Sequence, residues 1–192
     1  ISWYSLIIEP HTVFYNKIRQ GTMSIAGSLE EGEKYDKVIA GLDALGYPQY
    51  EISNFAKSEY ESMHNKTYWL NEPYIGAGAG SHGYTGSARY YNIKPVTHYI
   101  NNMNEQGSVV KEQLELTKND QYEEEMFLGL RLNKGVSEVR FNEKYGLPVD
   151  AVYGDVLKKL TEKNLLKRKA GHIYLTEAGR MIGNDVFMEF LL

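Results

Sequence analysis

The spacing of hydrophobic positions at the start of the chain predicts strands and helices in alternation. Residues 1–9, ISWYSLIIE, are rich in β-branched and aromatic side chains and predict a buried strand. Helical spacing predicts a helix over residues 28–46, with Ser28 and Glu31 as its capping box. Residues 47–55 predict a short second strand. Strand, helix and strand in this order are typical of a parallel α/β sheet.

The middle of the chain has a less regular pattern. Residues 62–84, SMHNKTYWLNEPYIGAGAGSHGY, show little hydrophobic periodicity and predict a loop with short turns. A strand over 88–93 and a helix over 95–107 follow. Pro95 suits the first turn of that helix, and Gly107 suits the position after its end.

The last part of the chain has the element order of a winged-helix domain. Apolar spacing predicts three helices, over residues 117–133, 135–146 and 148–164. Residues 165–176 predict two short strands that turn at Ala170 and Gly171, and a final helix follows. We therefore divide the chain into residues 1–113, which have α/β character, and residues 114–192, which are mostly helical.

Composition limits the chemistry. The 192 residues contain no cysteine, which excludes disulfides, thiolate zinc sites, a cysteine nucleophile and an all-thiolate iron–sulfur cluster within the chain. The mean hydropathy is -0.47, and no apolar run approaches the roughly 20 residues of a membrane span. A cytoplasmic protein is the simplest interpretation. The chain also starts inside a predicted strand without Met, which favours the C-terminal part of a longer protein because a strand needs neighbours.

A winged-helix order raises the hypothesis of a nucleic-acid-binding module. The net charge of the chain is -4, and residues 117–192 hold equal numbers of acidic and basic side chains. Only KRK at residues 167–169 is locally basic. DNA-binding modules concentrate positive charge on one face, so we expect no nucleic-acid partner. We expect instead that this part of the chain packs on the first part or on a partner.

The pair His64 and Tyr68 is a first candidate site. Imidazole ligates haem iron and other metals, and a tyrosine oxygen ligates haem iron or hydrogen-bonds an axial group. Side chains four residues apart share one face if the segment is helical, and Asn65 would orient the imidazole. The structural alternative is that His64 bonds a backbone carbonyl while Tyr68 and Trp69 fill a seam. The other histidines are scattered and form no metal triad by spacing.

The run GAGAGSHG at residues 76–83 is a second candidate. Glycines permit close backbone approach and positive φ, which suits contact with a cofactor. The run lacks both the dinucleotide fingerprint and the Walker lysine, and a tight strand-to-loop bend explains it equally well. Glu51 and Asn54, at the end of a predicted strand, are a third candidate, and hydrogen bonding at the strand end is the simpler interpretation.

Three stretches together resemble one known family. They are YSLIIEPHTVFY at residues 4–15, QYEISNFAKSEYESMHNKTYWLNEPYIGAGAGSHGY at 49–84, and RYYNIKPVTHYI at 89–100. These stretches resemble the oxygen-independent coproporphyrinogen III oxidase-like radical SAM proteins, and within that group the HemW-type haem chaperones. Residues 117–192 resemble the winged-helix-like C-terminal domain of the same family. The resemblance therefore covers nearly the whole chain.

The resemblance implies the C-terminal end of a partial (β/α) radical SAM barrel followed by a winged-helix-like helical domain. Members of the family hold a [4Fe–4S] cluster on a Cys-x-x-x-Cys-x-x-Cys loop, and the cluster binds S-adenosyl-L-methionine. That loop is missing here, so the resemblance implies no radical chemistry by this chain alone and no catalytic residue within it.

The resemblance also implies site residues. In HemW-type proteins a His-Asn-x-x-Tyr motif is associated with haem, and it matches His64, Asn65 and Tyr68, with His64 as the expected ligand of the haem iron. Proximity to S-adenosyl-L-methionine is implied for seven further positions: Ser5, Leu6, Gly76, Gly78, Gly80, Ser81 and His82.

Three functions stand as hypotheses. The first is a haem chaperone that binds haem and transfers it to acceptor proteins, with peripheral contact to membrane proteins. The alternative is a true oxygen-independent oxidase, which decarboxylates two propionates of coproporphyrinogen III. The third is a nucleic-acid-binding module, against which the neutral charge of residues 117–192 argues.

Overall fold

The computed structural model describes residues 1–25 and 27–192. They form two compact units, Ile1–Glu61 and Ser62–Leu192. The predicted boundary between residues 113 and 114 falls inside a strand, Val110–Glu115, and it stays a prediction.

The first unit contains two helices and a small hairpin: α1 (Val13–Arg19), α2 (Ser28–Ala44), β1 (Gln49–Glu51) and β2 (Asn54–Phe55). The prediction of one strand over residues 47–55 is wrong, because the chain reverses after Glu51 and pairs Gln49 with Phe55. The predicted capping box of α2 is also wrong, since the helix begins at Ser28 and its N-cap is Gly27. The described pairing in this unit is antiparallel, and the expected parallel pairing is not found among residues 1–25 and 27–61.

The predicted buried strand over residues 1–9 is wrong. Ser2 forms an isolated bridge with Asn54, and the Trp3 N–H donates to the Ser53 carbonyl over 2.8 Å. Farther along, Leu6 and Ile7 are 56% and 76% exposed. Because strands β1 and β2 are short, hydrogen bonding of the N-terminal segment to this hairpin stops near Trp3. The apolar side chains of Leu6 and Ile7 therefore remain exposed.

The second unit begins with a helix and a three-stranded antiparallel sheet. Its first elements are α3 (Met63–Trp69), β3 (His82–Tyr84), β4 (Ala88–Asn92), α4 (Val96–Gln106) and β5 (Val110–Glu115), with strand order β3-β4-β5. The prediction of α4 is confirmed, with Pro95 as N-cap and Gly107 as a left-handed C-cap at φ 66°. The prediction of a loop over residues 62–84 is wrong at α3, where the Ser62 Oγ accepts from the Asn65 N–H over 3.2 Å and caps the helix.

The rest of the second unit has the predicted order of helices around a small sheet. The elements are α5 (Lys118–Gly129), β6 (Val136–Ser137), α6 (Glu138–Tyr145), α7 (Asp150–Glu162), β7 (Leu166–Lys169), β8 (His172–Leu175), α8 (Glu177–Met181) and α9 (Gly183–Met188). The hairpin turns at Ala170 and Gly171, both at positive φ, as its sequence predicts. The single closing helix is wrong, since Ile182 at φ -119° and ψ 36° separates α8 from α9.

One apolar core holds these helices on the sheet, whose strand order is β6-β8-β7. Its most buried members come from α5, α6, α7, β8 and the C-terminal segment: Met126, Phe141, Tyr153, Leu160, Ile173 and Phe190. Within the described residues, no helix has both the length and the apolar character that crossing a membrane requires.

Candidate functional site

His64 and Tyr68 lie on the same side of α3, as four-residue spacing on a helix predicts. The His64 Nε2 lies 3.2 Å from the Tyr68 hydroxyl oxygen. Their rings meet edge to face with centroids 4.9 Å apart. His64 is exposed and Met63 beside it is 69% exposed, so the imidazole is accessible to a ligand. The structural alternative of a bond from His64 to a backbone carbonyl is not the arrangement found.

The contact with Tyr68 involves one of the two ring nitrogens of His64, Nε2. If the Nε2–H donates to the tyrosine hydroxyl, Nδ1 keeps its lone pair for a metal, and Nδ1 has no partner among the hydrogen bonds described for the chain. If the hydroxyl donates instead, Nδ1 carries the proton. The direction of this hydrogen bond therefore decides which ring nitrogen can ligate, and Nδ1 can do so only if Nε2 donates to Tyr68.

Asn65 is not brought onto His64. Neighbouring residues on a helix point in different directions, and Asn65 is described as bonding only through its backbone N–H, to Ser62. Within residues 1–25 and 27–192, no contact joins the Asn65 side chain to the His64 ring.

An aromatic series continues from Tyr68 into the sheet. The ring centroids of Tyr68 and Tyr74 are 4.6 Å apart, and those of Tyr74 and Tyr84 are 6.3 Å apart. Tyr74 and Tyr84 also exchange backbone hydrogen bonds of 2.8 and 2.9 Å. The packing of α3 on the sheet therefore runs through the tyrosine that contacts His64, and the predicted seam is present together with the candidate site.

The C-terminal end of α3 is held by α6. Arg140 donates to the Leu70 carbonyl and forms an ion pair with Glu72 at 3.0 Å. Lys144 donates to the Asn71 carbonyl over 3.1 Å. The last carbonyls of a helix lack hydrogen-bond partners within the helix. Arg140 and Lys144 supply donors to the backbone carbonyls at the C-terminal end of α3, where positive charge is also favourable.

Lys144 also belongs to a buried polar cluster around Glu125. The Glu125 carboxylate is 6% exposed and accepts from the Lys144 Nζ over 2.7 Å, the Tyr145 hydroxyl over 3.2 Å and the Asn71 amide over 3.4 Å. Burial and the neighbouring Glu125 carboxylate raise the pKa of Tyr145 above its usual range. Sequence patterns did not predict this cluster, because its members come from three separate segments.

The glycine run forms a bend that is tied to buried Asn92. The Asn92 amide nitrogen donates to the carbonyls of Gly76 and Gly78, each over 3.1 Å, and to the Ser81 Oγ over 2.9 Å. A Cβ at Gly76 would lie 2.3 Å from the His82 carbonyl oxygen, so only glycine fits there. These contacts agree with the interpretation of residues 76–83 as a tight strand-to-loop bend.

Several backbone groups of that run are already occupied. The Gly80 N–H donates to the Ile93 carbonyl over 2.9 Å, and the Ser81 N–H donates to the Gly78 carbonyl over 3.4 Å. The Gly76 N–H donates to the Tyr90 hydroxyl over 3.1 Å. A cofactor at this bend would have to use other groups, and the Asn92 Oδ1, although unpartnered among the described residues, is buried.

The remaining predicted residues, Ser5 and Leu6, lie in the other compact unit. There they line a pocket of about 300 Å³ together with residues of α2. Glu51 and Asn54 hydrogen-bond each other in the β1–β2 turn and are 1% and 6% exposed, which is the strand-end role that was the simpler interpretation.

The middle residue of the basic run at 167–169, Arg168, is paired with two carboxylates. Arg168 pairs with Glu138 at 2.9 Å and with Asp150 at 2.7 Å. Hydrogen bonds from Arg168 lower the pKa of Asp150 below its usual value. This arrangement ties the hairpin to α6 and α7.

The donor set allows a test of which groups the chain can hold. An exposed imidazole beside apolar Met63 fits one axial ligand of a haem. The chain has no cysteine, so its residues do not fit a [4Fe–4S] cluster. Among the described residues, no group of three or more His, Cys, Asp or Glu side chains is placed to hold a metal ion.

Comparisons with known proteins agree with these features. A family model described as the HemN C-terminal domain matches residues 116–182. The haem chaperone HemW of Bacillus subtilis (strain 168) is 50% identical over 190 residues, which cover 99% of this chain and 50% of that protein. HemW of Lactococcus lactis subsp. lactis (strain IL1403) is 40% identical over 192 residues, covering 100% of this chain and 50% of that protein. The chain thus spans about half the length of the curated relatives it matches.

One solved structure has the same fold. Coproporphyrinogen III oxidase (HemN) from Escherichia coli, a radical SAM enzyme, superposes with a TM-score of 0.64 at 18% identity, covering 86% of this chain and 42% of that one. At this identity the likeness concerns the fold, and the predicted fold class is confirmed. Residues 116–182 therefore match a HemN C-terminal domain, and over its whole length the chain is similar to about half of the haem chaperones named HemW.

Proposed function

We propose that the chain is the haem-binding part of a haem chaperone, and that α3 carries the haem contact. The observation that carries the proposal is the exposed imidazole of His64, hydrogen-bonded to Tyr68 within the His-Asn-x-x-Tyr motif. Support comes from two relatives named as haem chaperones, which are 50% and 40% identical over the length of this chain.

His64 would ligate the haem iron through the nitrogen that Tyr68 leaves free. The tyrosine hydroxyl would fix the tautomer and the orientation of the imidazole, as partners of metal-ligating histidines commonly do. Asn65 is the third residue of the proposed site, facing another side of the helix. An exposed ligand on a helix end is suited to release as well as to binding, which transfer to an acceptor protein requires.

We also propose that the intact protein uses S-adenosyl-L-methionine and a [4Fe–4S] cluster, as the resemblance to radical SAM proteins implies. The cluster ligands would lie outside these 192 residues, because the chain has no cysteine. Within the chain, Ser5, Leu6 and the bend from Gly76 to His82, including Gly78, Gly80 and Ser81, are proposed to lie near S-adenosyl-L-methionine. A cytoplasmic location and peripheral contact with acceptor proteins in the membrane belong to the same proposal.

The test is a haem titration of the intact protein followed by the Soret band. Replacement His64→Ala should weaken the band, whereas His172→Ala, a histidine on the β8 strand outside the proposed site, should leave it unchanged. Tyr68→Phe keeps the ring that packs on Tyr74 and removes the hydroxyl, so affinity should fall about tenfold. Equal titrations for the wild type and His64→Ala would remove His64 from the site.

A second candidate function is the oxidase reaction, which the fold shared with HemN favours. The measurement is anaerobic turnover of coproporphyrinogen III by the intact protein after reconstitution with iron and sulfide, with S-adenosyl-L-methionine, a low-potential reductant that drives its cleavage, and an electron acceptor for the substrate oxidation. Formation of the divinyl product would support this alternative, and no product under conditions where the haem titration succeeds would reject it.

A further inference from the structure

A pocket of about 620 Å³ lies on the sheet of the second unit, beside the glycine bend that Asn92 holds. Its volume is within the range of small-molecule sites. Strands β3, β4 and β5, helix α4 and the segment between β4 and α4 contribute its polar lining, which consists of His82, Tyr91, Lys94, His98, Asn102 and Lys111. Of these only His82 was singled out by the sequence.

The charge of this pocket is positive and not neutralised. None of the described residues that line it is acidic, and neither Lys94 nor Lys111 takes part in an ion pair among those described for residues 1–25 and 27–192. The nearest carboxylate along the strands, Glu112, accepts a hydrogen bond of 2.7 Å from the Tyr91 hydroxyl. Two lysines that line one cavity, neither of them in a described ion pair, favour a ligand with at least one anionic group.

Another wall of the pocket combines two ring side chains with two apolar residues. The rings of His82 and Tyr91, which are cross-strand partners, lie 5.6 Å apart at an angle of 32°. Ile93 and Pro95 continue this wall. Aromatic faces and apolar side chains suit a planar ring system, and lysines beside them suit charged groups at the edge of such a ring.

Local features of the backbone position both lysines. The pairing of β4 with β5 shifts between Tyr91 and Asn92, so Lys111 lies at an irregularity that re-aims its side chain. Lys94 packs behind the glycine bend, where a Cβ on Gly80 would lie 3.4 Å from the Lys94 Cγ, and Gly80 has φ 70°. The positive φ favours glycine at this position, and Lys94 lies in van der Waals range of it.

We propose that this pocket binds a planar ligand through its carboxylate groups, with Lys94 and Lys111 as the anion contacts. The ligand class rests on the proposed function and is a carboxylated porphyrin. Its propionates would contact the two lysines, and its ring would contact His82 and Tyr91. This contact is separate from iron ligation by His64, so it does not require the metal.

The experiment measures binding of metal-free protoporphyrin to the intact protein by porphyrin fluorescence anisotropy, beside its dimethyl ester, in which both carboxylates are blocked. The double variant Lys94→Ala/Lys111→Ala should weaken binding of the free acid by about tenfold or more, the effect of losing charged hydrogen bonds. The control Lys118→Ala/Lys169→Ala removes two exposed lysines elsewhere in the same unit and should change nothing. The ester should bind weakly and equally to all three proteins.

Equal affinity of the wild type and the Lys94→Ala/Lys111→Ala variant for the free acid, or equal affinity for acid and ester, would overturn the inference. A parallel haem titration separates this from the proposed function. If haem binding depends on His64 while porphyrin binding ignores the lysines, the pocket assignment is wrong and the chaperone proposal stands. If porphyrin binding depends on the lysines while haem gives no response to His64→Ala, the pocket stands and the His64 site does not.

Discussion

Replacing Lys144 with methionine should destabilise the unit Ser62–Leu192 and loosen α3. The Lys144 ammonium is the cation of the buried Glu125 cluster and a partner of the Asn71 carbonyl next to the end of α3. Methionine keeps much of the side-chain volume and removes the charge. A buried carboxylate would then remain without its cation.

The expected loss is about 2–3 kcal/mol in the free energy of unfolding. Removing one partner of a buried ion pair costs roughly 3–5 kcal/mol. The expected loss lies at or below the lower limit of that range because the Lys144 side chain is 24% exposed, and because Tyr145 and Asn71 still donate to Glu125 after the change.

Urea unfolding followed by the fluorescence of Trp69 measures this loss. The background Trp3→Phe leaves Trp69 as the sole tryptophan of the chain, and Trp69 lies on α3 beneath the Arg131 guanidinium, 4.6 Å from its ring centroid. Lys158→Met, an exposed position on α7, is the matched control and should change the free energy of unfolding by less than about 0.5 kcal/mol.

A double-mutant cycle with Glu125→Gln tests the cause. If the loss comes from the stranded carboxylate, Lys144→Met should cost much less in the Glu125→Gln background, with a coupling of about 1–3 kcal/mol. Additive effects of the two changes would refute the reasoning, because Lys144 would then act through packing alone.

Two further predictions concern the bend and the hairpin. Asn92→Ala removes the three hydrogen-bond contacts of a buried amide and leaves two bend carbonyls without that donor, so it should cost about 2–3 kcal/mol in the free energy of unfolding. Thermal or urea unfolding measures this loss, and the exposed control Asn104→Ala should show no change. An unchanged midpoint for Asn92→Ala would mean that water replaces the side chain. Arg168→Ala should cost about 1 kcal/mol at pH 7, a value discounted because Asp150 is 49% exposed. Since the pKa of Asp150 is lowered in the folded state, this stabilisation is present above the unfolded value of about 3.9 and is lost as the pH falls through the folded value, so the variant and wild type should converge near pH 2; a difference that persists there would point to lost packing.

The sequence predicts best the elements that are long or have their own turn chemistry. Helices α5 and α7 carry one buried face, and the β7–β8 hairpin turns on two residues with positive φ. Helix α3 was not predicted because it has seven residues and none of them is buried. The edge strand β5 was not predicted because all of its residues are exposed and show no alternation of apolar and polar positions.

The candidate site divides in the same way. The four-residue spacing of His64 and Tyr68 predicted a shared face on the condition that the segment is helical, and helix α3 meets that condition although the segment was predicted as a loop. The roles of Asn92, Glu125 and Lys144 depend on contacts between distant segments, which no local pattern reports. Residues 1–9 fail for the opposite reason, since their apolar pattern is that of a strand while the described partner extends only to Ser53.

The most direct test of the central claim is the Soret titration of the intact protein with His64→Ala beside His172→Ala. The His64 account predicts that the first variant binds haem more than about tenfold more weakly than wild type, while the second binds as wild type does. A wild-type titration curve from His64→Ala would contradict the assignment of the haem contact to α3.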